Sequence, residues 1–293
     1  MINRRTFSKA FRFIFVFPFL FSTLAYGQPS DENLSPYQPL IDRLVIDGVD
    51  PEFLSVLFTD PRAEPVPDFM TVSLGSREVP ELYTQFLTPE SILLAKKFLR
   101  ENLKTLREME REYHVDKEIA VAILLVESRF GENIGKYRVI PTLGSMALMG
   151  SNDNIQANYL RLREMDPDLS FEQIETLAKR KANWAYRELK CFLQIVSRES
   201  MDPLEFRGSY AGAVGLAQFI PSSYLAFALS RKSLEHWLLS KEEAISSIGN
   251  YLKSNGWKKN LSDEKKRKIL WTYNRSTPYI ETILEIAKRI KQR

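Results

Sequence analysis

Ile119-Ala120-Val121-Ala122-Ile123-Leu124-Leu125-Val126-Glu127-Ser128-Arg129-Phe130-Gly131 is the stretch on which the fold turns. Its first eight residues are apolar, so a helix built from them has no face suited to water and must be buried on every side. Asp116 starts this helix and Gly131 stops it. A helix covered all round needs amphipathic neighbours, and the chain supplies them on both sides. Thr88 can cap and Pro89 suits a first helical position; Ile92, Ala95, Leu99, Leu103, Leu106, Met109 and Tyr113 then recur at three to four residues, predicting one long helix. Ser170 with Gln173 reads as a capping box ahead of Ile174, Leu177, Ala178, Ala185, Leu189, Phe192 and Val196. Ser240 with Glu243 repeats that signal before Ala244, Ile245, Ile248 and Tyr251, and Thr277-Pro278 opens a last helix through Ile280, Ile283, Leu284 and Ala287. No β-alternation of useful length and no internal repeat occurs, so the fold is expected to be mainly α with at most a small β element.

The N-terminal part of the chain differs from this pattern. Arg4, Arg5, Lys9 and Arg12 precede or enter an apolar run over 13–25, with small Ala25 and Gly27 behind it, which reads as a secretory signal peptide over 1–27, cut before Gln28. The run is too short for a membrane helix, which needs about 20 residues. No transmembrane span is therefore expected after cleavage, and with Cys191 as the sole cysteine a lipid-anchored cut site is missing. The expectation is a soluble exported protein, periplasmic and not a lipoprotein. Residues 28–80 hold eight prolines, which suggests an irregular arm around one short helix; the arm over 28–85 is expected to pack on a domain spanning 86–293.

Composition removes several function classes. At 293 residues and 44% hydrophobic content the chain can bury a substantial core. The leader carries four of the 41 basic residues and no acidic one, leaving 37 against 37, so net charge gives no case for nucleic-acid binding. The locally basic stretches 258–268 and 288–293 read as solvated faces. One cysteine forbids an internal disulfide, and Cys191 lies among Leu189, Phe192 and Ile195 at helical spacing, which reads as core. Two histidines, His114 and His236, leave too few ligands for most metal clusters, and no zinc-protease or serine-hydrolase motif occurs. The glycine-rich run from Gly208 to Gly215 lacks the Lys-Ser/Thr ending of a phosphate loop. No metal and no cofactor is expected, and no protein partner is legible.

Glu127 is the unusual residue. Position alone leaves two readings: the exposed end of the helix, paired with Arg129, or a general acid whose neutral form is favoured by desolvation. Glycoside cleavage asks for an acid of the second kind.

Three separated motifs carry a resemblance. Val126-Glu127-Ser128-Arg129-Phe130-Gly131, then Gly208-Ser209-Tyr210-Ala211-Gly212-Ala213 through Gly215, Gln218, Phe219 and Pro221-Ser222-Ser223-Tyr224, then Tyr273-Asn274-Arg275-Ser276 with Tyr279, resemble the B-type lytic murein transglycosylases. Asn250-Tyr251-Leu252-Lys253 with Gly256-Trp257 fits the same family, and the likeness runs from about Phe86 to near the end. It implies a lysozyme-like helical fold with a long groove for peptidoglycan glycan strands. It maps the catalytic glutamate onto Glu127, and Ser209, Gln218, Phe219, Tyr273, Asn274, Tyr279 and Arg180 onto the groove wall. Each has a plainer alternative: Phe219 and Tyr279 as core aromatics, Ser209 as a turn residue. The glycines and the polar Gln218 between Ala217 and Phe219 favour function for that stretch. The implied reaction uses Glu127 twice and leaves a 1,6-anhydro-N-acetylmuramoyl end without consuming water. Ordinary retaining or inverting hydrolases need a second carboxylate, whereas no acidic residue occurs between Gly208 and Leu234 or between Lys265 and Tyr279.

Two departures from the family stand out. The segment 226–239 holds only Glu235 where some members carry an acidic calcium loop, so no calcium site is expected. Residues 149–169 look like extra sequence, expected as a surface loop rather than a lid.

Overall fold

Proline opens helices in this chain more than it interrupts them. The computed structural model describes residues 35–75, 79–199, 201–229 and 233–292, so the leader expected over 1–27 lies outside the described residues. The stretch expected as an irregular arm carries α1 (Gln38–Ile46), α2 (Pro51–Thr59) and α3 (Pro67–Gly75) and ends in a 3-10 helix, Pro80–Leu87. The correction has a positional cause. Pro39, Pro51, Pro67 and Pro80 each fall in a first turn, where the missing N–H has no partner to lose and the fixed φ suits the helix. Leu40, Leu44, Leu54, Leu57 and Phe58 from this arm bury in the same core as Ile140 and Leu143.

The expected long helix is two, α4 (Pro89–Glu101) and α5 (Leu103–Tyr113). Thr88 accepts from the Ser91 N–H as its cap. At Asn102 the backbone leaves the helical region (φ −110°, ψ 21°), and its side-chain amide donates to the Phe98 carbonyl at 2.9 Å. Asparagine competes for backbone partners in this way, which breaks a helix the apolar spacing alone would continue.

The all-apolar stretch is α6 (Lys117–Ser128), in which Ile119 through Leu125 are each 2% exposed or less. Each fully buried Leu, Ile or Val contributes roughly 1.5–3 kcal/mol, so this helix anchors the domain. After it come α7 (Val139–Leu148), α8 (Asn152–Met165), α9 (Phe171–Val196), α10 (Pro221–Phe227), α11 (Leu234–Leu239), α12 (Lys241–Ser254), α13 (Asp263–Tyr273) and α14 (Thr277–Lys291). α4, α5, α12 and α14 surround α6. The caps expected at Ser170 and Ser240 form, accepting from Gln173 N and Glu243 N; at α14 the cap is Ser276, one residue before the expected Thr277.

The segment 149–169 is not a surface loop. It forms α8, and Ile155, Asn158 and Leu162, one turn apart on its inner face, bury against α3 and α9. With Met70, Leu74, Met149, Ile174 and Ala178 they make a second, smaller core. Asn158 accepts from the Thr71 hydroxyl at 2.7 Å, tying α8 to α3. Only one buried face interrupts its polar sequence, which is why the helix was hard to read. The sheet is as small as expected: β1 (Tyr137–Arg138) pairs antiparallel with β2 (Arg207–Gly208), with Tyr137 opposite Gly208. Among the described residues no helix is long and apolar enough to cross a membrane.

Candidate active site

Glu127 sits in the last turn of α6, where the helix is forced to stop. Arg129, Phe130 and Gly131 take left-handed φ values of 49°, 61° and 101°. Two consecutive non-glycine residues in that region are strained and persist only when neighbours hold them. Here the Ser128 hydroxyl accepts from the Gly131 N–H at 3.1 Å, and the Phe130 ring stacks on Phe98 with centroids 4.1 Å apart and planes 11° off parallel. Arg129, the partner offered to Glu127 by the plainer reading, forms an ion pair with Glu132 at 2.9 Å. The turn leaves Glu127 half-buried at the edge of an apolar helix.

A buried tyrosine on α14 holds the carboxylate. The Tyr279 hydroxyl donates to Glu127 Oε1 at 2.7 Å. Tyr279 lies in the first turn of α14, 1% exposed, with its N–H bound to the Ser276 hydroxyl. Tyr273 lies parallel to it, 6.5 Å away and 10° off, and Tyr83 meets it edge-on at 6.1 Å. Tyr273 ends α13 and donates its hydroxyl to the Ala217 carbonyl at 2.6 Å. Burial first, and the negative charge of Glu127 second, push both hydroxyls well above the ordinary tyrosine value. Both phenols therefore remain donors throughout the neutral range.

The glycine-rich segment reaches the site through the Ala217 carbonyl that Tyr273 holds. Ser209 makes a tight turn: its hydroxyl accepts from the Ala211 and Ala213 N–H groups, and its own N–H donates to the Ala213 carbonyl at 2.8 Å. The glycines here approach protein rather than open space. A side chain at Gly212 would meet Leu143, and one at Gly215 would meet Trp237, each at 2.8 Å. Gln218 is left-handed (φ 47°), and its amide donates to the Ile134 and Gly215 carbonyls at 3.1 and 2.8 Å.

A match to the transglycosylase SLT domain family covers residues 43–266. The chain belongs to that family. It is 31% identical over 176 residues to the membrane-bound lytic murein transglycosylase B of Escherichia coli K12; the match takes in 60% of this chain and 41% of that relative, so the chain spans less than half the relative's length. Its fold is that of the Escherichia coli lytic transglycosylase SLT35 solved with bulgecin A (TM-score 0.69, 22% identity, 89% of this chain and 94% of that one). It is also that of Pseudomonas aeruginosa SltB3 solved with NAG-anhNAM-pentapeptide (TM-score 0.66, 19% identity, 87% and 80%).

Within this transglycosylase domain the residues singled out from sequence separate into three groups. Glu127, Tyr279 and Tyr273 come together directly. Gln218 follows the Ala217 that Tyr273 holds, and half-buried Asn274 follows Tyr273, leaving α13 at φ −139° and ψ 124°, while Ser209 closes its own turn on Ala211 and Ala213. Phe219 and Arg180 lie apart from these contacts with Glu127. Phe219 is 2% exposed and packs behind Tyr273 among Trp237 and Tyr251, so it backs the wall rather than lining it. Arg180 is exposed on α9 over a shallow depression made by Glu172, Gln173, Thr176 and Leu177 of the same helix. Sequence reading missed Tyr83, which comes from the arm, and the Ala217 carbonyl, which as backbone leaves no residue-type signal. Cys191 is half-buried, and burial ahead of the nearby Glu188 charge pushes its thiol up, away from the reactive thiolate. Among the described residues no group of three or more His, Cys, Asp or Glu side chains is placed to hold a metal ion.

Proposed function

We propose that this chain cleaves the MurNAc–GlcNAc β-1,4 bond of peptidoglycan as a lytic transglycosylase, with Glu127 as the single acid–base residue. The observation that carries the reading is the Tyr279 hydroxyl held on Glu127 Oε1, with Glu127 as the carboxylate whose charge acts on both Tyr273 and Tyr279. Glu127 gives its proton to the glycosidic oxygen as the C1–O bond breaks, and the substrate's N-acetyl oxygen closes on C1 from the opposite face. The Glu127 carboxylate then takes the proton of the C6 hydroxyl as that oxygen attacks C1 from the face the leaving group vacated and displaces the acetamide oxygen, which restores the acid and closes a 1,6-anhydro ring. No water is consumed.

Asn274 offers both a donor and an acceptor to the acetamide. Tyr273, its hydroxyl occupied by Ala217, contributes its ring and its place behind Tyr279. In this reading Ser209, Gln218 and Arg180 contribute to the wall of the groove that holds the glycan. The arm over 28–85 works with the domain over 86–293, because Tyr83 reaches the site from it. A leader over 1–27 sends the protein to the periplasm, where its substrate lies, and neither metal nor cofactor takes part. Digestion of purified sacculi tests the reading: released muropeptides should carry anhydro ends by mass. Reducing ends would instead assign a hydrolytic muramidase.

A further inference from the structure

Glu188 plays no part in that mechanism, yet it is a carboxylate 4% exposed on the long helix α9. A buried charge is retained only where its lone pairs are satisfied. Ser222 satisfies both oxygens: its N–H donates to Oε2 and its hydroxyl to Oε1, each at 2.9 Å. Ser222 is the second residue of α10, whose own cap position, Ile220, gives no side-chain acceptor. Glu188 therefore caps α10 from a different helix.

What α10 anchors is the turn before it. That turn carries the left-handed Gln218 and a two-residue bridge in which Val214 and Phe219 exchange N–H···O bonds of 2.9 and 3.1 Å. Tyr224, one turn into α10, meets Trp237 edge-on at 4.8 Å, and Trp237 packs on Phe219 at 5.7 Å. The turn presents the Ala217 carbonyl to the Tyr273 hydroxyl, and Tyr273 lies parallel to the ring whose hydroxyl holds Glu127.

We infer that Glu188 is a positioning residue: by pinning Ser222 it fixes the Ala217 carbonyl, and through Tyr273 and Tyr279 the orientation of the Glu127 carboxylate. This rests on the transglycosylase reading above. Misplacing a reacting group by about 1 Å can reduce rate by roughly 100-fold, so a slackened turn should act on kcat far more than on KM.

The test measures kcat, KM and the folded fraction of full-length E188A, E188Q and S222A on purified sacculi. E188A should lose about 10- to 100-fold in kcat per folded molecule with little change in KM. E188Q should stay within about fivefold of the parent protein, because its amide can accept the Ser222 N–H and donate to the Ser222 hydroxyl. If E188A does not fold, S222A carries the test, with a fall of a few fold in kcat expected in a folded protein. Unchanged turnover per folded molecule in E188A, or in S222A where E188A fails to fold, would overturn the inference and leave Glu188 a stabilising cap. So would E188Q as impaired as E188A, since charge rather than geometry would then matter. A parent protein that releases nothing from sacculi would overturn the reading beneath, and this inference with it.

Discussion

Tyr279→Phe removes one oxygen and keeps the ring. The ring is 1% exposed between Tyr273 and Tyr83, so the phenylalanine has the same packing to occupy. The lost oxygen is the donor 2.7 Å from Glu127 Oε1. A hydrogen bond to a charged partner contributes about 1.5–3 kcal/mol, equivalent to roughly 10- to 150-fold in rate at 1.36 kcal/mol per decade. Because Glu127 is only half-buried, water can replace part of the interaction, which places the expected loss in the lower range, about 10- to 50-fold in kcat/KM. Melting temperature should move by no more than about 4 °C. Product release from sacculi and thermal unfolding, measured on one preparation, decide the matter. Turnover unchanged in folded Y279F would refute the claim that this phenol orients the carboxylate.

The other expectations concern pH, core and backbone. Tyr273 and Tyr279 titrate well above 10 in the folded protein, while the unfolded chain releases those protons near 10; their stabilisation is therefore complete below about pH 10 and lost as pH rises beyond it, and urea midpoints should fall less steeply there in Y279F. Leu162→Ala, at a position 2% exposed in the second core, should cost about 2–5 kcal/mol in denaturant unfolding yet leave turnover per folded molecule intact; lost turnover without lost stability would give α8 a part in the site. Gly135→Ala should cost more than about 2 kcal/mol, since its φ is 91° and the new Cβ would strike the Gly208 backbone beside the β1–β2 pair; a neutral effect on melting temperature would contradict that geometry.

Much of this architecture is written in short-range patterns. The eight apolar residues before Glu127 demand a wrapped helix, and Thr88, Ser170 and Ser240 mark helix starts through bonds formed within three residues. What escaped depends on partners distant in sequence or on atoms without residue identity. α8 exists because α3 and α9 offer it an apolar seat, and its polar sequence carries only a narrow stripe to say so. Asn102 breaks a helix through a bond to Phe98 that apolar spacing does not register. A family motif and a chemically improbable carboxylate point to Glu127, Tyr273 and Tyr279, and these are the side chains the structure brings together. For Phe219 the sequence leaves core and groove open, because an aromatic in a motif suits either, and the packing against Trp237, Tyr251 and Tyr273 depends on partners distant in the chain.

The central claim is that one carboxyl, on Glu127, moves the protons of glycan cleavage. Glu127→Gln keeps size and shape and can still accept from Tyr279, but it cannot serve as a general acid. The direct measurement is the rate at which parent protein and E127Q release soluble muropeptides from purified sacculi, with melting temperature taken on the same samples. E127Q should show an unchanged or higher melting temperature and lose about 100-fold or more in release; release at a near-parental rate by folded E127Q would mean that another group supplies the proton.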